Sequence, residues 1–184
     1  VSVEHPHVTQ VPYVYTAASV EQPTLTIGCM GLLSLIKGGA IIVRLAEKIA
    51  VSTLPIRISI FGTIDVPVSP LAASVLSIEG PYTERTIAAQ VSSHTIAFFV
   101  FPSIVPETYS MVCEEILQLG FPILMFNLEA QRERIGGDTF GWVVNLDLTA
   151  HSLFEKVTTL YRNRTEILEK ATAIKNKHYV SLSI

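Results

Sequence analysis

Short apolar runs alternate with stretches of helical periodicity along most of the chain. Six runs are strand-sized and apolar at nearly every position: "TLTIGCMG", which closes on a turn at Gly31, "IRISIFG" (56–62), "VLSIEG" (75–80), "TIAFFVFPS" (95–103), "FPILMFN" (121–127) and "GWVVNL" (141–146). Between them lie "GGAIIVRLAEKIA" (38–50), "TERTIAAQVSS" (83–93), residues 110–119 and a short segment near 129–135, all with helical spacing or length. The run from 150 to 179 predicts one long amphipathic helix. Continuous apolar strands separated by helices mean βαβ units and a parallel sheet covered on both faces. The expected fold is therefore α/β, a Rossmann-like doubly wound parallel sheet of about six strands. Residues 1–22 show no clear period and read as a linker or edge segment. The domain proper is expected over 23–178, with 179–184 as a tail.

Composition adds the scale of the core. The 184 residues suit one domain, and 49% hydrophobic against 16% charged residues is the opposite of a disordered balance. A chain of this length buries roughly 70% of its unfolded surface. The mean hydropathy of +0.44 is high, which suggests fully buried strands and an apolar face made for a partner. No run reaches the ~20 apolar residues of a membrane-spanning helix. Glu4 and His5 stand where a signal peptide needs an apolar core. Because the sequence opens on Val1, it is expected to be a piece of a longer protein. A net charge of −3 with no basic block argues against nucleic acid. Cys29 and Cys113 lack metal-like spacing and are expected as reduced, buried thiols in the cytoplasm.

In a doubly wound sheet, ligands bind beyond the carboxyl ends of the strands. That directs attention to the turns after Gly31, Gly62, Gly80, Pro102 and Asn127. Glycine there either lets backbone approach a ligand closely or simply makes a tight turn, and spacing alone leaves both readings open. Neither a G-x-G-x-x-G nor a Walker sequence is present, and "IGGD" (135–138) is only a two-glycine turn. No serine sits in a G-x-S-x-G elbow. His5 and His7 flank a proline and make a poor metal site. "NRT" (163–165) matches a glycosylation sequon but falls in a helical pattern.

Two features carry candidate chemistry. In "GLLSLIKGG" (31–39), Lys37 stands beside two glycines just ahead of a helix, where free N–H groups and a cation suit an anion. A solvated lysine is the plainer alternative. In "FPSIVPETYSMVCEEILQLGFPI" (101–123), Pro102 and Pro106 impose an irregular loop, and a helix starts around Ser110. Glu107 then lies at the helix N-terminus, where a carboxylate is favourable. Glu115 lies more than a turn inside, next to Glu114, which can point to solvent. Two carboxylates near an anion-binding loop suit sugar hydroxyls. The alternative is a dipole-stabilising Glu107 and a solvated Glu115.

The second stretch resembles the donor-binding segment of retaining GT-B glycosyltransferases of family 4. Their pattern is P-S-x-x-x-E-x(7)-E, followed by a helix and a glycine, and Glu107 and Glu115 match its glutamates. Further motifs match in order: "GLLSLIKG" is similar to the family's "GRLSPEKG", "IEGPYTER" to its G-x-Y turn, and "NLEAQRERI" to its "DxGAxxERV". The resemblance covers about residues 24–146. Two positions depart from it: Leu32 replaces an arginine, and Glu129 replaces a glycine.

The resemblance implies a nucleotide-sugar site built from Gly31, Lys37, Tyr82, Glu107, Thr108, Tyr109, Ser110, Met111 and Glu115. Glu115 would take ribose hydroxyls, and Glu107 hydroxyls of the transferred sugar. The N–H groups of Tyr109, Ser110 and Met111 would face the sugar and diphosphate. Lys37 would neutralise the leaving diphosphate, so Glu107 and Lys37 are the expected catalytic residues. Tyr82 would lie near the base. No cofactor and no metal are expected, because protein charges do that work.

The same resemblance implies a donor-binding half of a retaining, hexosyltransferase-type enzyme using a UDP- or GDP-sugar. It would be inactive without an N-terminal acceptor-binding domain. It is expected to be bacterial and cytoplasmic and to serve polysaccharide synthesis, with peripheral membrane association through the missing half as a further option. The alternatives are a degenerate GT-B domain kept for binding or assembly and, behind it, a sugar-nucleotide epimerase.

Overall fold

The structure, a computed structural model, describes residues 12–106, 110–128, 132–133 and 135–181, with side chains through residue 177. Six strands form one parallel sheet: β1 Leu25–Leu33, β2 Ile56–Ile64, β3 Leu76–Gly80, β4 Ile96–Phe101, β5 Ile123–Phe126 and β6 Gly141–Val144. Their order is β3-β2-β1-β4-β5-β6, the arrangement of a Rossmann-like doubly wound sheet. The helices are α1 Ala18–Glu21, α2 Gly39–Ser52, α3 Pro70–Ala73, α4 Ile87–Ser92, α5 Met111–Gln118, α6 His151–Arg162 and α7 Thr165–Ser181. The expected fold class is the observed one. The short helical segment anticipated near 129–135 falls largely outside the described residues.

Every residue of β4 is buried, as a central parallel strand requires. On one face, Phe98 and Val100 join Ile27, Ile58, Ile42 and Leu45 beneath α2 and α6. On the other, Phe99 and Phe101 join Met30, Phe61, Val91 and Ile116 beneath α4 and α5. A fully buried side chain of this kind contributes about 1.5–3 kcal/mol. Cys29 and Cys113 form no disulfide and are buried in these two layers.

Two expectations are corrected. β1 and β2 do not end at their glycines but run on to Leu33 and Ile64. Gly31 and Gly62 are paired in the ladder, and a Cβ at Gly62 would sit 2.1 Å from the Gly31 carbonyl oxygen. The glycine at 62 thus serves strand-to-strand approach. The single C-terminal helix is also two helices, broken at Asn163 (φ −121°, ψ 75°). Just past the break the Arg164 guanidinium donates to the carbonyls of Val20, Gln22 and Pro23. One planar cation thus satisfies three carbonyls of the segment that leads into β1. Across the break, Trp142 Nε1 (2.6 Å) and Lys156 Nζ (2.8 Å) both donate to Glu166 Oε1, which fastens α6 and β6 to α7. The described part of the N-terminal segment is held too, because the Val14 and Tyr15 N–H groups donate to the Leu119 carbonyl.

α6 begins after Ala150 in the left-handed region (φ 60°) and is capped from upstream. The Asp147 carboxylate accepts from the Thr149 hydroxyl and N–H and from the N–H groups of His151 and Ser152. Led by the Thr149 hydroxyl, these donors favour the ionised carboxyl and hold its pKa down to about 2. A depressed carboxyl stabilises the fold above its unfolded value, and that contribution is lost as pH falls through the folded one. Asp147→Ala is therefore expected to lower the urea midpoint at neutral pH. The gap from wild type should close between the ordinary aspartate range and pH about 2, as read by fluorescence of Trp142.

Candidate functional site

The strand order reverses between β1 and β4, so the crevice lies beyond their carboxyl ends. The segment after β1 carries Lys37, and the segment after β4 leads into α5. The two segments are knitted together. Ile104 N–H donates to the Ile36 carbonyl at 3.2 Å, and a Cβ at Gly38 would meet the Pro102 carbonyl oxygen at 2.1 Å. Gly38 has φ 80°, so only glycine gives this backbone both its conformation and its clearance. Lys37 is half-buried on that junction. Gly31, also half-buried, approaches the first turn of α5, its missing Cβ falling 3.3 Å from Val112 Cγ2.

α5 starts where the prolines and Ser110 indicate. Ser110 is the N-cap in extended backbone, and its buried hydroxyl accepts from Cys113 N–H at 3.4 Å. The side chain is thus spent on the helix, and a ligand at this point meets backbone N–H groups. Met111 is exposed at the first helical position. Glu107, Thr108 and Tyr109 lie outside the described residues, as does Glu129.

Glu115 and Tyr82 come together. The Tyr82 hydroxyl donates to Glu115 Oε2 at 3.0 Å, linking the turn after β3 to the second turn of α5. Both side chains are half-buried. Burial pushes the Glu115 carboxyl up, the Tyr82 hydrogen bond pulls it down, and the nearby Glu84 raises it further, so that the net shift is upward. The Tyr82 hydroxyl is raised as well, by burial first and then by the Glu115 charge. Glu114 is half-buried rather than fully solvated.

Sequence reasoning missed Glu84, whose charge acts on Glu115, and Ser103, whose buried hydroxyl donates to the Val105 carbonyl and shapes the loop after β4. Ser103 was visible as the serine of the P-S pair; Glu84 carried no local signal. Leu32 is 58% exposed and shares its end of the sheet with exposed Leu35, Ile36 and Met111. Leu32, where the resemblance expects an arginine, thus presents an exposed apolar side chain instead. Among the described residues no group of three or more histidine, cysteine or acidic side chains could hold a metal ion. No helix among them is long and apolar enough to cross a membrane.

The sheet order and the crevice at its switch point define a Rossmann-like doubly wound domain, a fold it shares with the C-terminal domain of a glycosyl transferase. No family model and no curated protein sequence matches the chain. Among solved structures it is similar to the C-terminal domain of a glycosyl transferase group 1 family protein, LpcC, from Francisella tularensis. That match has a TM-score of 0.66 at 14% identity and covers 91% of this chain and 93% of that one. Sucrose-phosphate synthase from Thermosynechococcus elongatus matches with a TM-score of 0.66 at 14% identity, over 90% of this chain and 45% of that one. Anabaena HepE in complex with UDP and glucose matches with 0.63 at 13% identity, over 93% of this chain and 53% of that one. The chain thus spans about half the length of the latter two and nearly all of the isolated domain.

Proposed function

We propose that the chain is the donor-binding domain of a retaining glycosyltransferase, which takes a sugar from a UDP- or GDP-sugar once an N-terminal acceptor-binding domain completes the cleft. One observation carries this reading: the Lys37 segment and the segment that leads from β4 towards α5 are locked together at the point where the strand order reverses. In this reading the two anion-favouring elements that flank this junction are the Lys37 cation and the N-terminus of α5. The binding of UDP and glucose by HepE, which shares the fold, supports it.

In this reading Glu115 accepts hydrogen bonds from ribose hydroxyls and Glu107 holds the transferred sugar. The N–H groups of Tyr109, Ser110 and Met111 face the sugar and diphosphate, with Gly31 leaving room for them. Thr108 is a further binding residue in this reading. When the glycosidic bond breaks, negative charge builds on the departing nucleoside diphosphate. Lys37 and the helix N-terminus, already oriented, stabilise that charge without solvent reorganisation and without a metal.

Leu32 favours a second reading, a degenerate domain that keeps the fold for assembly, because leucine cannot replace a bidentate phosphate donor. Calorimetric titration with UDP and GDP separates the two. Donor binding predicts saturable heat and predicts that Leu32→Arg strengthens binding of the diphosphate roughly tenfold or more, while nucleoside binding stays unchanged. The gain should shrink at high salt. A folded chain that binds neither nucleotide at millimolar concentration leaves the assembly reading in place.

A further inference from the structure

We propose that Tyr82 is a positioning residue for Glu115: its hydroxyl pins Oε2, leaving Oε1 to take the vicinal hydroxyls of a ribose, so that the site distinguishes ribose from 2′-deoxyribose. The proposal rests on the donor-binding reading of the crevice and adds a basis for sugar selectivity within the nucleotide. The supporting geometry is a 3.0 Å hydrogen bond between elements 33 residues apart in sequence. A glutamate on a helix surface otherwise samples several rotamers, and fixing one by a directed hydrogen bond converts a flexible acceptor into an oriented one. Tyr82 suits this task because its ring packs against the apolar layer beneath α4 and α5, so its hydroxyl starts from a fixed base.

The polar surroundings of Glu115 make the pairing directional. From the turn after β3 the Tyr82 hydroxyl donates to it and the charge of Glu84 acts on it, and Glu114 is its neighbour in its own helix. Glu84 repels the ionised form, whereas Tyr82 donates to it. A diol that binds through Glu115 requires the ionised carboxylate as acceptor. Tyr82 therefore orients the acceptor and also keeps it in the charge state that works.

The test compares wild type with Tyr82→Phe, which keeps the ring and deletes the hydroxyl. Whichever of UDP and GDP binds more tightly is titrated beside its 2′-deoxy counterpart across pH. Wild type should prefer the ribonucleotide. Tyr82→Phe should weaken ribonucleotide binding roughly fivefold to tenfold and 2′-deoxynucleotide binding much less. The preference would then collapse, and the acid limb of the binding profile would move to higher pH. A merely structural tyrosine would weaken both nucleotides equally and leave the pH profile in place. That result, in a variant whose circular dichroism matches wild type, overturns the proposal and spares the donor reading. Failure of wild type itself to bind either nucleotide overturns both.

Discussion

Glu115→Ala is expected to abolish measurable nucleotide binding while leaving the fold intact. The proposed contacts are hydrogen bonds from two ribose hydroxyls to a charged acceptor, each worth about 1.5–3 kcal/mol. Losing both corresponds to a hundredfold or greater loss of affinity. Stability should move the other way or hardly at all. The Glu115 carboxyl is raised, chiefly by burial, so its neutral form is the one the folded state favours. A raised carboxyl stabilises the fold at low pH and loses that contribution as pH rises through its folded value. At neutral pH, ionised Glu115 is therefore a cost that the fold bears, and removing it should cost no more than about 1 kcal/mol. The measurement is calorimetry with UDP and GDP beside urea unfolding of the same samples. Retained binding by Glu115→Ala would show that this carboxylate does not hold the nucleotide.

The largest stability effect should come from Gly62→Ala. Its φ of 137° is one that side-chain-bearing residues rarely adopt, and the new Cβ would lie 2.1 Å from the Gly31 carbonyl oxygen. Backbone cannot swing aside as a side chain can, so β1 and β2 must separate in the middle of the sheet. Strain and overpacking together cost about 3 kcal/mol or more, a large share of the 5–15 kcal/mol typical of a domain. Gly80→Ala supplies the contrast. Its φ of 87° is also left-handed, but nothing lies within 4 Å of the added Cβ. Conformational strain alone, on the order of 1 kcal/mol, is expected there. Urea midpoints followed through Trp142 test both. Equal losses at the two positions would refute steric approach as the reason for glycine at 62.

These two sites show what kind of information each level carries. Glu115 stands out in sequence because a carboxylate interrupts an apolar helical period, and the structure finds it half-buried and hydrogen-bonded to Tyr82. Gly62 stands out too, but for a reason that spacing does not disclose. Its position at a strand end suggests a turn, whereas the structure places it inside a ladder opposite Gly31. The distinction depends on which strand lies alongside, and no local window contains that. Lys37 and Ser110 fall between these cases. Their element positions follow from the flanking glycines and prolines, but the contact between their segments, through Ile36 and Ile104, is long-range.

By itself the sequence determined an α/β chain of about six strands, with candidate carboxylates and one cation in the segments that follow them. Those properties come from periodicity, run length and turn residues, which act over a few neighbours and hold whatever the rest of the chain does. Only the tertiary structure decided the strand order, and with it the reversal between β1 and β4 that creates the crevice. It also decided the break at Asn163, where one arginine reaches three carbonyls more than 140 residues away. The pairing of Tyr82 with Glu115 belongs to the same level. Each of these rests on groups that meet only after the chain has folded, and hydrogen-bond geometry, not periodicity, selects them.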